Sequence, residues 1–343
     1  MRQAKAAKAI ALGLAVVMLT SAGASASTRV YRARHALRFI ARHQADNGSI
    51  TAFSPLGSTA DAVLAMVAAR RGRIRVRRAL NYLRRHVGDA NTVGLKAKLA
   101  LAARAGGRHP RSFGGRNLIR EIRMSQRPNG HYGPSGSVID QALAMLALVA
   151  VSQQPTGSAV AWLTEAQCPD GGWQFDAPYD PSVDNRHCFT QGAGDFSRSD
   201  TNTTSYAVQA LDALASPVAP SISPFAFFRL VRDPIKHGWG FDLTTSLTDA
   251  NSTALVLQAY AAANRRLPRH GMRALEKLQY TRRCGRYLRF SFAFTWKRST
   301  SGRLKRTGPD LGATLGAVLG LLKRPLPVSP RSLARSIPTV RIC

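Results

Sequence analysis

Two kinds of apolar segment alternate along the chain. One kind is amphipathic and rich in arginine, as in residues 77–86 and 272–279. The other kind is apolar on nearly every face, as in residues 93–103 and 254–263. Apolar positions at helical spacing predict helices in both cases, and a helix without a polar face has to be buried. The chain therefore predicts buried inner helices surrounded by wetter outer helices.

Six segments of each kind can be identified. The outer segments are residues 35–43, 77–86, 117–126, 159–167, 224–231 and 272–279. The inner segments are residues 60–69, 93–103, 140–150, 206–215, 254–263 and 311–322.

Short polar stretches introduce the inner segments, most clearly at Asp200 and Asp249. Side chains of Asp, Asn, Ser and Thr accept hydrogen bonds from the free N–H groups of a first helical turn, so these residues are interpreted as N-caps. Asp89 and Asp310 stand at equivalent places. The alternative is a ring of carboxylates around one mouth of the molecule. The six repeat units are centred near Ser58, Thr92, Ser137, Thr203, Ser252 and Thr314.

A loop motif recurs before the inner segments. Its clearest copy runs from Gln167 through Gly171 to Trp173, with the pattern Gln-x3-Gly-x-aromatic. Related copies begin at Gln44 and Gln126, and a longer one at Gln279. The last unit is no more polar than the middle ones, whereas an open solenoid needs polar capping repeats. The sequence therefore predicts an all-α fold, a closed α/α toroid (α6/α6 barrel) of about six helical-hairpin repeats.

These motifs resemble the squalene-cyclase and prenyltransferase repeat family, the α6/α6 toroids of terpenoid cyclases and protein prenyltransferase β subunits. The loop from Gln167 to Trp173 is similar to the Gln–Trp motif of the cyclases. The resemblance covers roughly residues 36–323 and implies the toroid fold. It implies an activity only if the family's reactive groups are present.

Most of those reactive groups are missing. The acidic D-x-D-D-T-A stretch of the alkene-protonating cyclases matches residues 200–205, where Asn202 replaces the proton donor and Thr203 its acidic neighbour. An amide cannot protonate an alkene. No Cys or His stands at the start of an inner segment, where the prenyltransferases keep their zinc ligands, so no metal and no cofactor are expected.

The N-terminal segment indicates export, and export in turn bears on the four cysteines. Residues 1–26 resemble a cleavable signal peptide, with Arg2, Lys5 and Lys8 before an apolar run; a retained anchor is the alternative. The toroid then occupies residues 27–323, and residues 324–343 form a proline-rich tail. In an oxidising compartment the cysteines favour disulfides, preferentially pairing as Cys168 with Cys188 and Cys284 with Cys343.

The formal net charge is +31. Removal of the signal peptide leaves 46 basic against 18 acidic residues, a charge of +28. Such a surface attracts anionic polymers of the cell envelope or lipid headgroups. A nucleic acid partner is disfavoured because no recognition motif accompanies the charge. A generic solvated surface explains the charge equally simply.

Three functions follow from these observations. The first is a secreted, non-catalytic toroid that holds an isoprenoid or other apolar ligand in its central cavity. The second is a divergent cyclase-like or prenyltransferase-like enzyme that uses Asp200 or Asp249 as an acid. The third is a structural envelope protein bound to anionic polymers. Trp173 and Trp239 are expected to fix their loops between outer helices, although they could also line a lipid site.

Overall fold

The structure is a computed structural model that describes residues 26–177, 188, 198–281 and 289–338. Its helices fall into two sets. The outer set is α1 (residues 26–42), α3 (Arg73–Arg85), α5 (Leu118–Met124), α7 (Gly157–Glu165), α9 (Pro224–Leu230) and α11 (Gly271–Leu278). The inner set is α2 (Pro55–Ala68), α4 (Val93–Ala105), α6 (Val138–Val149), α8 (Thr201–Asp212), α10 (Ala250–Ala262) and α12 (Leu311–Leu322).

The inner helices form a closed ring. Each packs against the next in the order α2, α4, α6, α8, α10 and α12, and α12 packs against α2. Outer helices pack beside them, and the apolar residues of both layers form one continuous core. The predicted all-α toroid is confirmed. No helix among the described residues has the length and apolar character needed to cross a membrane.

Hydrogen bonds close the ring between its first and last units. The amide nitrogen of Gln279 donates to the carbonyl oxygen of Arg32 on α1, at 3.3 Å, and to that of Phe290 at 3.1 Å. The guanidinium of Arg32 also pairs with Glu276 of α11 at 3.5 Å. Residues 247 positions apart in the sequence thus join the two ends of the outer layer.

Short antiparallel strands brace the loops before the inner helices. The pairs are β1 (Trp173–Gln174) with β2 (Ser199–Asp200), β3 (Phe292–Ala293) with β6 (Pro309–Asp310), and β4 (Trp296–Arg298) with β5 (Leu304–Arg306). Two 3-10 turns, Val87–Asp89 and Pro110–Ser112, complete the described elements.

The N-terminal ends of the inner helices gather at one end of the ring, because each inner helix is followed by an outer helix that runs back. Their caps largely follow the predicted pattern: Thr92, Ser137, Asp200, Asp249 and Asp310 each accept a hydrogen bond from the first turn.

Two details of the capping prediction are wrong. Ser54, not Ser58, caps α2, which begins earlier than expected because Pro55 suits a first helical position. Asp89 caps no helix, since it lies in a 3-10 turn beside His86.

The segment after α12 lies across the opposite end of the ring. The backbone N–H of Leu326 donates to the side-chain oxygen of Gln209 on α8, at 2.9 Å. Further along, Ala334 exchanges backbone hydrogen bonds with Arg70 and Gly72, just after α2. Leu326 and Val328 are buried in the core. The tail therefore touches the C-terminal ends of three inner helices and covers the mouth at this end.

Candidate functional site

The loop motif is built into the wall between repeats. The amide nitrogen of Gln167 donates to the carbonyl oxygen of Gly171, at 3.0 Å, and to that of Ile222 before the next outer helix, at 2.6 Å. Gly171 has φ +87°, a left-handed conformation that favours glycine. The indoles of Trp173 and Trp239 are fully buried and donate to backbone carbonyls of the preceding outer helices. These residues stabilise the packing between neighbouring repeats, and none of them lines the ring axis.

Hydroxyl groups on the inner helices bind the same loops. One threonine hydroxyl on each of four inner helices accepts a hydrogen bond from a backbone N–H of a loop, at 2.8–3.0 Å. The acceptors are Thr59, Thr204, Thr253 and Thr314, and the donors are Ile50, Trp173, Trp239 and Phe292, respectively. These threonines face the outer layer. The residue two positions later on each helix is turned by about 200°, so it faces the ring axis.

Two charged side chains occupy this axial level. Asp61 of α2 stands two positions after Thr59, and its carboxylate accepts a hydrogen bond from the ammonium of Lys98 on α4, at 2.8 Å. Tyr206, two positions after Thr204, lies on α8. The remaining residues at this level are Leu143, Leu255 and Gly316.

The position of α8 in the ring places this group on the axis. Helices α2 and α8 stand opposite each other, separated by two inner helices on either side. Tyr206 nevertheless interacts electrostatically with both Asp61 and Lys98. The side chains of Lys98 and Asp61 keep 24% and 34% of their surface accessible, although the ring surrounds them. We call this accessible space, with Asp61, Lys98 and Tyr206, the axial chamber.

The charge states of the chamber follow from its contacts. Burial opposes the charge on Lys98, but the Asp61 carboxylate outweighs burial and raises the pKa of the ammonium above its usual value. Burial raises the pKa of the Tyr206 phenol, against the effect of the nearby Lys98 ammonium. The chamber therefore holds a charged ammonium and a neutral phenol at physiological pH.

The mouth above the chamber has an apolar rim. Phe53 is 79% exposed and lies over Gly312 in the first turn of α12. Phe294 and Leu243 are also exposed, on the loops that precede α12 and α10. Exposed aromatic and aliphatic side chains around one opening are typical of a binding site for an apolar group.

The predicted acids Asp200 and Asp249 lie at the same mouth but are engaged in capping. One oxygen of Asp200 accepts the N–H groups of Asn202 and Thr203, both at 2.8 Å, and the other accepts the Thr203 hydroxyl at 2.6 Å. The two oxygens of Asp249 accept hydrogen bonds from the backbone N–H and the hydroxyl of Ser252, both at 2.7 Å. Burial raises the pKa of Asp200 to about 7 and that of Asp249 to about 6. Both are almost completely buried, so neither carboxyl is presented to the chamber.

The cysteine pairs differ in what the structure describes. Cys168 and Cys188 form a disulfide with a Cα–Cα distance of 5.5 Å. Cys284 and Cys343 lie outside the described residues. Within the described ranges, no three His, Cys, Asp or Glu side chains form a group that could hold a metal ion.

Sequence reasoning missed the chamber. Asp61 is the only charged residue of α2, an otherwise apolar and small-residue helix, and that isolation was the available signal. Lys98 gave a weaker signal, because α4 also carries Lys96 and Arg104. Their pairing depends on the relative rotation of two helices, which the sequence alone does not fix.

Comparison with known proteins supports the fold. No protein-family model matches the chain, and no curated protein matches it by sequence. Solved structures are similar at 11–14% identity. They include the GH76A α-1,6-mannanase from Salegentibacter sp. HEL1_6 (11% identity, TM-score 0.55, 87% of this chain and 98% of that chain).

Two further toroids are similar. One is a variant of the type II terpene cyclase MstE from Scytonema, in complex with its product merosterolic acid A (14% identity, TM-score 0.56, 87% of this chain and 96% of that chain). The other is an unsaturated glucuronyl hydrolase specific for heparin (11% identity, TM-score 0.58, 88% and 96%). Similarity at this level of identity shows a shared α/α toroid and no particular activity.

Proposed function

We propose that this protein binds an amphipathic ligand in the axial chamber and does not transform it. The observation that carries this proposal is the Asp61–Lys98 pair beside Tyr206 on the ring axis. These groups offer hydrogen bonds and charge to a polar end group. Leu255 and Leu143 at the same level, and the rim residues above, contact the apolar remainder.

The two ends of the ring give the ligand a direction. The tail covers one end through its contacts with Gln209 and Arg70. The other end has the exposed rim of Phe53, Leu243 and Phe294. A ligand therefore enters through the rim with its polar end first and leaves its apolar part towards the mouth. An isoprenoid or similar lipid-like molecule with one polar end group has this distribution.

Turnover by alkene protonation is disfavoured by the residues at the mouth. Asn202 takes the place of the proton donor of the alkene-protonating cyclases, and an amide has no acidic proton to give. Asp200 uses both carboxylate oxygens for the α8 cap. Retention of a ligand is then the simplest use of a chamber that keeps a polar group among apolar helices.

The proposal places the protein outside the cytoplasm. The composition of residues 1–26 supports export, and the disulfide between Cys168 and Cys188 fits an oxidising compartment.

Native mass spectrometry tests the binding proposal. The protein is purified from its own envelope fraction, measured intact, and then extracted with organic solvent. A stoichiometric lipid-like species with one polar end group is the expected result. A protein that consistently lacks bound mass, and takes up no polyprenyl alcohol or polyprenyl phosphate when these are added, contradicts the proposal.

A second candidate function is glycoside hydrolysis, favoured by two carboxylates at the mouth. Asp140 lies against Gly94 in the first turn of α4, and Asp176 is held near it by the bridge to Ser137. Burial raises the pKa of both carboxyls, and the charge of Asp176 has a smaller effect in the same direction on Asp140. Glycosidases use one protonated and one ionised carboxyl, and two of the similar structures act on saccharides by name.

Assays with α-1,6-mannan and with unsaturated glucuronides test this candidate. Release of sugar that is abolished by Asp140→Asn would establish it. Failure of the parent protein to release sugar from both substrates would exclude these two activities.

A further inference from the structure

A basic groove lies at the end of the ring opposite the rim. It has a volume of about 370 Å³ and lies where the start of α1 meets the ends of α2 and α12. Its charged lining residues are Arg29, Arg34, Arg70, Lys323 and Arg324. None of the described residues that line it is acidic. Residues 1–25, which precede the groove at Ala26 in the sequence, contain no acidic residue either.

The cations of the groove repel one another. The charge of Arg29 lowers the pKa of Lys323, in addition to the larger effect of burial. Burial also lowers the pKa of Arg34, and the charges of Arg71 and Arg70 lower it further. None of the ion pairs among the described residues includes a lining residue of this groove. An unneutralised cluster of this kind costs stability unless an anion is present.

The backbone at the groove is also unusual. Arg70 and Lys323 follow α2 and α12, two neighbours in the ring, and both have left-handed backbone conformations, with φ of 56° and 49°. Three other inner helices are followed by a left-handed residue of a type that favours this conformation or is small: Gly107, Ser152 and Asn264. Arginine and lysine are not among the residue types that favour this conformation, so both positions carry backbone strain. Strained cationic residues side by side indicate a function for their side chains.

Apolar residues line the groove together with the cationic ones. They include Val30 of α1 and Leu321 and Leu322 of α12. A groove lined by both cationic and apolar side chains complements a phosphate group that is attached to a hydrocarbon part.

We infer that this groove binds a phosphate ester, with Arg70, Lys323 and Arg324 around the phosphate and Val30 and Leu322 against the attached carbon chain. The shared chemistry is a phosphate group, carried either by a lipid headgroup or by a small soluble molecule. The helix dipoles of α2 and α12 favour one cation at each helix end, but they do not account for five cations in one groove. The groove shares no residue with the axial chamber, so phosphate binding here does not depend on whether a ligand binds in the chamber.

The experiment compares two charge-matched double variants of the full protein. Arg70→Asn with Lys323→Asn removes two groove cations and leaves a residue that accepts the left-handed conformation, as Asn264 does. The control is Arg84→Gln with Arg266→Gln, two exposed positions outside the groove that remove the same charge. A third variant, Arg70→Lys with Lys323→Arg, keeps both charges.

Binding is measured with phosphatidylcholine vesicles containing phosphatidylglycerol, with pure phosphatidylcholine vesicles, and with soluble glycerol phosphate. The parent protein, the control and the charge-keeping variant are expected to bind a phosphate-bearing probe within about threefold of one another. The groove variant should bind at least about tenfold more weakly, since each charge-assisted contact contributes a large part of such an affinity. Thermal melts confirm that all four proteins are folded.

The pattern across the probes identifies the source of the phosphate. Selective binding to the phosphatidylglycerol vesicles assigns a lipid headgroup, and binding to glycerol phosphate alone assigns a soluble ester. The inference is overturned if the parent protein fails to bind glycerol phosphate and binds phosphatidylglycerol vesicles no better than pure phosphatidylcholine vesicles. It is also overturned if the control loses as much affinity as the groove variant, because net charge would then explain the binding.

Discussion

The ammonium of Lys98 lies 2.8 Å from the carboxylate of Asp61 on the neighbouring inner helix, and both charges act on the phenol of Tyr206 on the opposite helix. Replacement of a buried ion pair by apolar residues is often neutral or stabilising. Stability therefore gives no reason to keep this pair among apolar helices. The proposed ligand gives one, because the pair would recognise its polar end group.

Loss of one partner of this pair should destabilise the fold. Lys98→Met leaves the Asp61 carboxylate without its counter-charge, and we expect the free energy of unfolding in urea to fall by about 2 kcal/mol, between the values for buried and exposed pairs. The double variant Asp61→Asn with Lys98→Met should recover at least half of the loss. Lys277→Met, at an exposed position, should change stability by less than about 0.5 kcal/mol. If Lys98→Met and Lys277→Met change the free energy of unfolding equally, the Asp61–Lys98 ion pair does not contribute as described.

The stability of the protein should depend on the titration of Asp200. Burial raises its folded-state pKa from 3.8 to about 7, so between these values the folded protein binds a proton that the unfolded chain has released. Stability from this group is present at low pH and is lost as the pH rises towards 7. Asp200→Asn retains a capping side chain and has no titration.

Urea denaturation at a series of pH values checks this prediction. The stability of Asp200→Asn relative to the parent protein should increase from pH 4 to pH 7 by at least about 1 kcal/mol. Asp200→Ala, which loses the cap, should be about 1 kcal/mol less stable than Asp200→Asn throughout. A difference between Asp200→Asn and the parent that stays constant with pH would show that Asp200 is ionised over the whole range.

Ring closure should depend on Gln279. Gln279→Ala removes the hydrogen bonds to the carbonyl oxygens of Arg32 and Phe290 and leaves both without these donors. We expect a loss of about 1–3 kcal/mol and faster amide hydrogen exchange in α1, at the seam of the ring. Gln126→Ala, a more exposed copy of the same motif, is the control. The idea of a seam fails if α1 exchanges no faster in the Gln279 variant than in the control.

The disulfide should stabilise the folded protein. Cys168 and Cys188 are 20 positions apart, and opening a loop of that size costs about 3 kcal/mol of unfolding free energy in the chain-entropy account. The variant with both cysteines changed to Ala should show this loss, and reduction of the parent protein should reproduce it. If reduction leaves the parent unchanged while the double variant is destabilised, packing of the cysteines and not the crosslink is responsible.

The architecture could be predicted from the sequence because the repeat motifs that define it depend on local chemistry. The caps at Asp200, Asp249 and Asp310 and the Gln–aromatic loops are short motifs whose geometry is set within a few residues. The cap of α2 was misplaced at Ser58, because that serine binds the loop N–H groups of Ala52 and Phe53 and not those of the helix. A serine at position 54 or at position 58 fits the N-cap pattern equally well.

The chamber and the groove could not be predicted in the same way. Both join side chains from inner helices that the sequence treats as separate repeats, such as Asp61 with Lys98 and Arg70 with Lys323. Their meeting depends on the rotation of each helix and on the order of helices around the ring. The path of the tail past Gln209 depends in addition on the completed ring, so no local motif indicates it.

The most direct test of ligand binding is to fill the chamber and measure the bound mass. Leu255→Trp places an indole at the level of Asp61 and Tyr206, whereas Leu230→Trp adds the same group at an exposed position on α9. Native mass spectrometry of both proteins, purified from the same host as the parent, should show the co-purifying species in the parent and in Leu230→Trp and not in Leu255→Trp. Equal occupancy in a folded Leu255→Trp protein would place the ligand elsewhere and contradict the axial chamber as its site.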